Sequence, residues 1–134
     1  MAHKGIGASL PRKEDRRHLH GRSQFVGDLS FPGMLDVAFV RSPAAHARIA
    51  GIEIPEGAEN RVFTAVDMPE VGPIVAKGTI PGYTATPFPV LARDKVTFVG
   101  QLVALCVAPS RAEAEDLCEE VFVDLEDLPV LTAP

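Results

Sequence analysis

Several residue types in this chain could do chemistry, and their spacing decides which. His18 and His20 form an HxH pair. Such a pair on a strand points both imidazoles one way and can hold a metal ion, but a third ligand is needed and none lies nearby. His46 stands between Ala45 and Ala47. A histidine there suits general-base work only if a nucleophile and an orienting carboxylate adjoin it. No spacing suggests either, so the expectation is a structural histidine, hydrogen-bonded at a loop or a domain interface. Cys106 and Cys118 are not a CxxC and have no histidine at zinc-ligand spacing. They are expected to be buried free thiols.

Other signatures fail on inspection. Ser9, Ser23, Ser30, Ser42 and Ser110 lack a GxSxG elbow, and there is no GxxxxGK[ST] phosphate loop. Gly5 and Gly7 begin a GxG, but position 10 is Leu10 and no strand precedes it. The acidic stretch over 113–127 has no central glycine, so a calcium loop is excluded and a solvated face is expected. The basic stretch over 12–22 holds five Lys/Arg against two acids. It reads as a solvated arm, with anion binding as the alternative. Gly100 and Gln101 sit between two apolar stretches, where the expectations are a close backbone approach or a bulge at the glycine and an interdomain hydrogen bond from the glutamine, with a plain turn as the equal alternative.

The elements that must position these residues follow from hydrophobic period. With 134 residues, 46% apolar and 23% charged, the chain suits one small soluble domain. A net charge of −5 argues against a nucleic-acid binder. No stretch approaches a membrane span, and the first 25 residues lack the apolar segment of a secretory leader, so the cytoplasm is the expected compartment. Eleven Gly and twelve Pro imply many turns.

Residues 1–33 read as an irregular arm and 34–134 as the domain proper. Strands are expected at 34–41, 48–54 with a bulge at Gly51, 61–66, 102–108 and 121–125. The 102–108 run, LVALCVA, is apolar throughout and suits a central strand. Helical turns are expected at 44–48 and, after Asp67 as N-cap, at 68–70; a hairpin is expected within 90–99. The best-marked helix starts at Ser110, with Glu113 completing a capping box and Ala114, Leu117, Cys118 and Val121 as its apolar stripe. Residues 102–125 then read as a short β-α-β crossover. The fold class is α+β, mixed α/β, with a long Pro/Gly-rich loop over 71–89.

Four stretches together resemble one family: GRSQFVGDLSFPGML (21–35), AFVRSPAAHARI (38–49), PVLARDKVTFVGQLVAL (89–105) and AEDLCEEVFVDLEDLPV (114–130). They are similar to the N-terminal α/β hammerhead domain of the large subunit of molybdenum hydroxylases, the family of xanthine dehydrogenase, aldehyde oxidase and aerobic carbon monoxide dehydrogenase. The resemblance covers nearly the whole chain. It departs at Asp36, Ala44 and Leu102, where the family often has His, His and Pro.

The resemblance implies a non-catalytic domain or small subunit of a molybdenum-dependent oxidoreductase, with no self-contained active site. No residue here matches a catalytic, cofactor-binding or metal-binding position of the family. Molybdopterin, iron–sulfur clusters and FAD are implied for the whole enzyme, in longer domains and in iron–sulfur and flavin subunits that would be the partners. Arg41, Ser42, His46, Gly100 and Gln101 are the implied interdomain contacts. Tyr83 and Phe88, on the loop before PVLA, are the implied lining of a substrate funnel. The alternative is a stand-alone interaction module on the same fold. An isolated domain of this kind is expected to expose an apolar patch and to self-associate.

Overall fold

The computed structural model describes residues 5–8 and 11–131. Ser9 and Leu10, and the last three residues of the domain proposed above, lie outside that range. The chain divides into two compact units, Met1–Pro32 and Gly33–Pro134.

The first unit is more ordered than its glycines and prolines imply. A short helix, α1, covers Asp15–Leu19, and a single 3-10 turn covers Val26–Asp28. Local carboxylates bond beside both starts. The Arg12 N–H donates to Asp15 Oδ2 at 3.0 Å, and the Phe25 N–H to Asp28 Oδ2 at 2.9 Å. The Asp28 bond reaches back to the N-cap of its turn, whereas the Asp15 bond closes a turn two residues ahead of Glu14, the N-cap of α1.

The second unit holds six strands and one long helix: β1 (Asp36–Arg41), β2 (Ala47–Glu53), β3 (Val62–Thr64), β4 (Lys95–Val96), β5 (Leu102–Ala108), α2 (Arg111–Glu120) and β6 (Phe122–Asp127). They form two three-stranded sheets, in the orders β1-β5-β3 and β4-β2-β6. Every pairing is antiparallel. The expected crossover is therefore corrected. β5 and β6 flank α2 but belong to different sheets, so α2 links two layers instead of two parallel neighbours.

The apolar run of β5 does occupy a central position, between β1 and β3. Its burial depends on a bulge. Val40 pairs with Ala104 and Arg41 with Leu102, which leaves Val103 without an opposite residue. Inserting one residue turns two consecutive side chains inward. Ala104 enters a core with Val40, Val62, Cys106, Leu117 and Val121, while Val103 enters a second core with Ala47, Ala92 and Val96. Ile52 and Val123 touch both cores and join them. Fully burying a valine contributes about 1.5–3 kcal/mol. The exposed Arg48–Glu126 pair, at 3.6 Å, contributes at most about 1 kcal/mol. Apolar packing therefore dominates.

The bulge expected at Gly51 is present, where the β2–β6 register shifts between Ile49 and Gly51. Helix α2 starts as expected, with the Ser110 side chain accepting from the Glu113 N–H. The return contact differs from a full capping box: the Ser110 hydroxyl donates to Glu113 Oε1 at 2.9 Å.

Three local expectations fail for tertiary reasons. Residues 90–99 make no hairpin. The Ala92 N–H donates to the Leu102 carbonyl at 2.7 Å, the Ile49 N–H to the Asp94 carbonyl at 3.0 Å, and β4 pairs with β2. The segment's backbone thus bonds to both sheets and not to itself. After Asp67 the chain makes one isolated turn, closed by the Val71 N–H on the Met68 carbonyl at 3.1 Å, and not a helical one; Asp67 does not cap it, because its carboxylate faces backwards and accepts from the Thr64 N–H and hydroxyl, both at 2.7 Å. Residues 44–48 bend without a helical turn, held by Ser42 Oγ, which accepts from the Ala44 N–H at 3.1 Å. None of the helices among the described residues is long and apolar enough to cross a membrane.

Candidate functional site

Four of the sequence-selected residues converge where β1 ends and β5 begins. The Ser42 N–H donates to the Gln101 carbonyl at 2.9 Å, and the Gly100 N–H donates to the Ser42 carbonyl at 2.7 Å. Arg41 Nη1 adds a bond to the Gly100 carbonyl at 3.1 Å. Ser42 and Gln101 are the buried polar residues of the described chain, 3% and 2% exposed. Gly100 has φ +86°, a left-handed conformation that lets the backbone turn into Ser42 without a side-chain penalty.

The side-chain oxygen of Gln101 is bonded from inside the domain. Its Oε1 accepts from the Thr97 N–H at 2.7 Å and the Thr97 hydroxyl at 3.1 Å. That oxygen therefore closes its own turn and offers little to a neighbouring domain. Thr97 was not singled out by the sequence. The signal was a hydroxyl residue four positions before a glutamine, with a glycine between.

His46 lies apart from this cluster. Its Nδ1–H donates to the Pro129 carbonyl at 2.7 Å, and its own carbonyl accepts from the Leu128 N–H at 2.9 Å. Both bonds fasten the chain beyond β6. That bond fixes the ring's tautomer, and among the described residues no hydroxyl, thiol or carboxylate side chain is hydrogen-bonded to the other ring nitrogen.

Tyr83 and Phe88 occupy the long loop. Phe88 is bridged to Ile74, with reciprocal backbone bonds at 2.7 and 2.8 Å. Its ring stacks on Phe98 with centroids 5.7 Å apart. The Phe98 carbonyl in turn accepts from the Gln101 N–H at 3.3 Å. The end of the loop is thus tied through Phe98 to the Gly100–Gln101 turn. Tyr83 is 46% exposed, and its ring lies so close over Gly78 that any side chain there would collide with it.

The remaining candidates resolve into structural roles. His18 Nδ1 meets the Ser23 hydroxyl at 2.8 Å, and its ring stacks on Phe25 with centroids 5.8 Å apart. His20 Nδ1–H donates to the Arg16 carbonyl at 2.7 Å. The HxH pair therefore splits between two local contacts. Both cysteines are free; Cys106 is buried and Cys118 half-buried. Burial pushes the Cys106 thiol up to about 12, reinforced by the Cys118 thiol. Among the described residues, no three His, Cys, Asp or Glu side chains gather as a metal site.

A groove of about 510 Å3 runs between β1 and α2, past Asp36, Arg41, Arg111 and Glu115. Its charges are already matched in part: Arg111 Nε bonds Glu115 Oε1 at 2.7 Å.

Comparison with known proteins agrees with this architecture. The nicotine 6-hydroxylase large subunit of Paenarthrobacter nicotinovorans is 43% identical over 96% of this chain, which corresponds to 16% of that protein. The carbon monoxide dehydrogenase large chain of Hydrogenophaga pseudoflava is 37% identical over 100% of this chain and 17% of its own length. The crystal structure of quinoline 2-oxidoreductase from Pseudomonas putida 86 superposes with a TM-score of 0.83 at 42% identity, covering 94% of this chain and 17% of that one. The chain thus spans about one sixth of the length of the relatives it matches. The family described as aldehyde oxidase and xanthine dehydrogenase, a/b hammerhead domain, matches residues 20–129, and this chain belongs to it.

Proposed function

We propose that this chain serves as a non-catalytic structural domain of a molybdenum hydroxylase large subunit and packs on its molybdopterin-binding domains. The observation that carries the proposal is the coverage. The fold matches end to end, at 94% of this chain, yet accounts for 17% of the matched oxidoreductase chain. An iron–sulfur cluster takes four thiolates, and this chain has two cysteines, Cys106 and Cys118. Cofactor chemistry belongs, in this proposal, to other segments and subunits: molybdopterin on the large subunit, iron–sulfur clusters and FAD on the partners. The bonds of Arg41, Ser42, Gly100 and Gln101 to one another support a rigid corner that presents the loop, in addition to any contact they make with a neighbouring domain.

The loop that carries Tyr83 and Phe88 is proposed to shape access to the substrate. Its support is the tie of Phe88 to Phe98 and the exposure of Tyr83. The test has two stages. The native complex containing this chain is purified and assayed for molybdenum, iron and flavin; a complex without them overturns the proposal and favours a stand-alone interaction module. In the intact enzyme, Tyr83→Ala and Phe88→Ala should raise KM with little change in kcat. Unchanged kinetics across several substrates would remove the loop from the access path.

A further inference from the structure

The β1-β5-β3 sheet has two apolar faces, and the fold covers only one of them. On the covered face Val40, Val62, Ala104 and Cys106 pack with Leu117 and Val121 of α2. On the other face the register sets Val37 opposite Val107, and Phe39 opposite Leu105, which faces Phe63 on its other side. Successive residues of a strand point to opposite sides, so these five share one face. Val37 and Phe39 are 48% and 39% exposed; Leu105, Val107 and Phe63 are half-buried. Leu35, just before β1, continues the row at 56% exposure.

An antiparallel sheet with one wet face normally carries polar residues there. Here the row is apolar from Leu35 to Phe39, and the exposed Arg41 ends it on β1. A contiguous row of this kind marks an interaction surface.

We propose that this face is the docking surface for the molybdopterin-binding part of the large subunit, which meets it with an apolar surface of its own. The inference rests on the function proposed above and adds which face makes the contact. The argument for this occupant over a second copy of the chain is length. The quinoline 2-oxidoreductase and Cu,Mo-CO dehydrogenase structures reproduce this fold at TM-scores of 0.83 and 0.80, yet it fills only 17% and 16% of their chains. Most of each polypeptide therefore lies outside the matched segment and is available, tethered, to cover such a face. Tethering raises the effective concentration of that occupant far above that of a free second copy.

The test places a benzophenone amino acid at Phe39 in the assembled enzyme that carries this chain, and separately at Val130 beyond β6, which is 51% exposed. Cross-linked peptides are mapped by mass spectrometry. A cross-link from Phe39 to a molybdopterin-binding segment is expected. A cross-link from Val130 but not from Phe39 overturns this choice of face and leaves the proposed function standing. A cross-link from Phe39 to a second copy overturns the occupant. No cross-link from either position overturns this choice of face, while the proposed function stands or falls on the molybdenum, iron and flavin assay. As a second measurement, Val37→Thr with Phe39→Thr in the assembled enzyme should raise the rate of limited proteolysis between this domain and the molybdopterin-binding part at least tenfold. The enzyme's circular dichroism spectrum should stay unchanged. An unchanged proteolysis rate with an unchanged spectrum overturns the proposal.

Discussion

Gln101 Oε1 accepts two hydrogen bonds from Thr97, at 2.7 Å from its N–H and 3.1 Å from its hydroxyl, on a residue only 2% exposed. The turn between β4 and β5 is therefore locked by a side chain inside the domain. Replacing Gln101 with Leu keeps bulk and removes the acceptor, leaving the Thr97 N–H without its partner. The expected loss is about 0.5–1.5 kcal/mol, the net worth of a hydrogen bond whose donor sits on an exposed residue. Urea unfolding checks it: the midpoint should fall with the slope unchanged. A loss under about 0.5 kcal/mol would mean that Thr97 is satisfied by water.

Gly100 should be comparably sensitive, for a different reason. Its φ of +86° costs a residue with a Cβ about 1–2 kcal/mol. Gly100→Ala should lower stability by that amount, and Gly100→Asn by less, because asparagine tolerates the left-handed region. Equal losses for the two variants would point to crowding. The space around a Cβ at this position is open, so conformation is the expected cause.

Ser110 holds the start of α2 through the Glu113 N–H and the Glu113 carboxylate. Ser110→Ala should cost about 1 kcal/mol, the usual value of an N-cap. Because α2 covers the first core with Leu117, thermal unfolding should remain a single transition with a lower midpoint. Two transitions would show that the helix frays independently of the sheet.

The cysteines should differ in reactivity. With the Cys106 thiol pushed up to about 12, almost no thiolate exists at pH 8, whereas an ordinary thiol ionises near about 8.5. Iodoacetamide on the native chain should label Cys118, which lines the groove beside β1, and spare Cys106. Denatured chain should label at both. Native labelling of Cys106 at the rate of Cys118 would contradict its burial.

Asp67 gives the pH dependence. The Thr64 N–H and hydroxyl stabilise its carboxylate and hold its pKa below the ordinary value. A group depressed in the folded state contributes stability above its unfolded pKa and loses it as the pH falls through the folded one. Asp67→Asn should thus be less stable than the parent chain at neutral pH. The gap should close as acid passes below about pH 3.9, the unperturbed aspartate value. A gap independent of pH would assign the loss to the amide's geometry and not to the charge.

Much of the fold was legible in residues 102–120. The unbroken apolar run of β5 and the Ser110 cap with its stripe are local signals, and local signals survive folding. The corner of Arg41, Ser42, Gly100 and Gln101 was legible only as motifs. Its partner Thr97 and the stacking ring of Phe98 were not, because neither bond leaves a periodic trace in sequence.

By itself the sequence determined the family, the central strand, the long helix and the mixed α+β class. The family rests on the resemblance of four stretches; the other three rest on composition, period and capping, which act within a few residues. Only the tertiary structure decided that β5 and β6 lie in different sheets, and that 90–99 bonds outward to both. It also decided that the Val37 and Phe39 face of β1 stays uncovered. Alternation shows that a strand has two faces. Which face is buried depends on what packs against it, and for β1 that choice was made by α2, whose Leu117 shares a core with Val40.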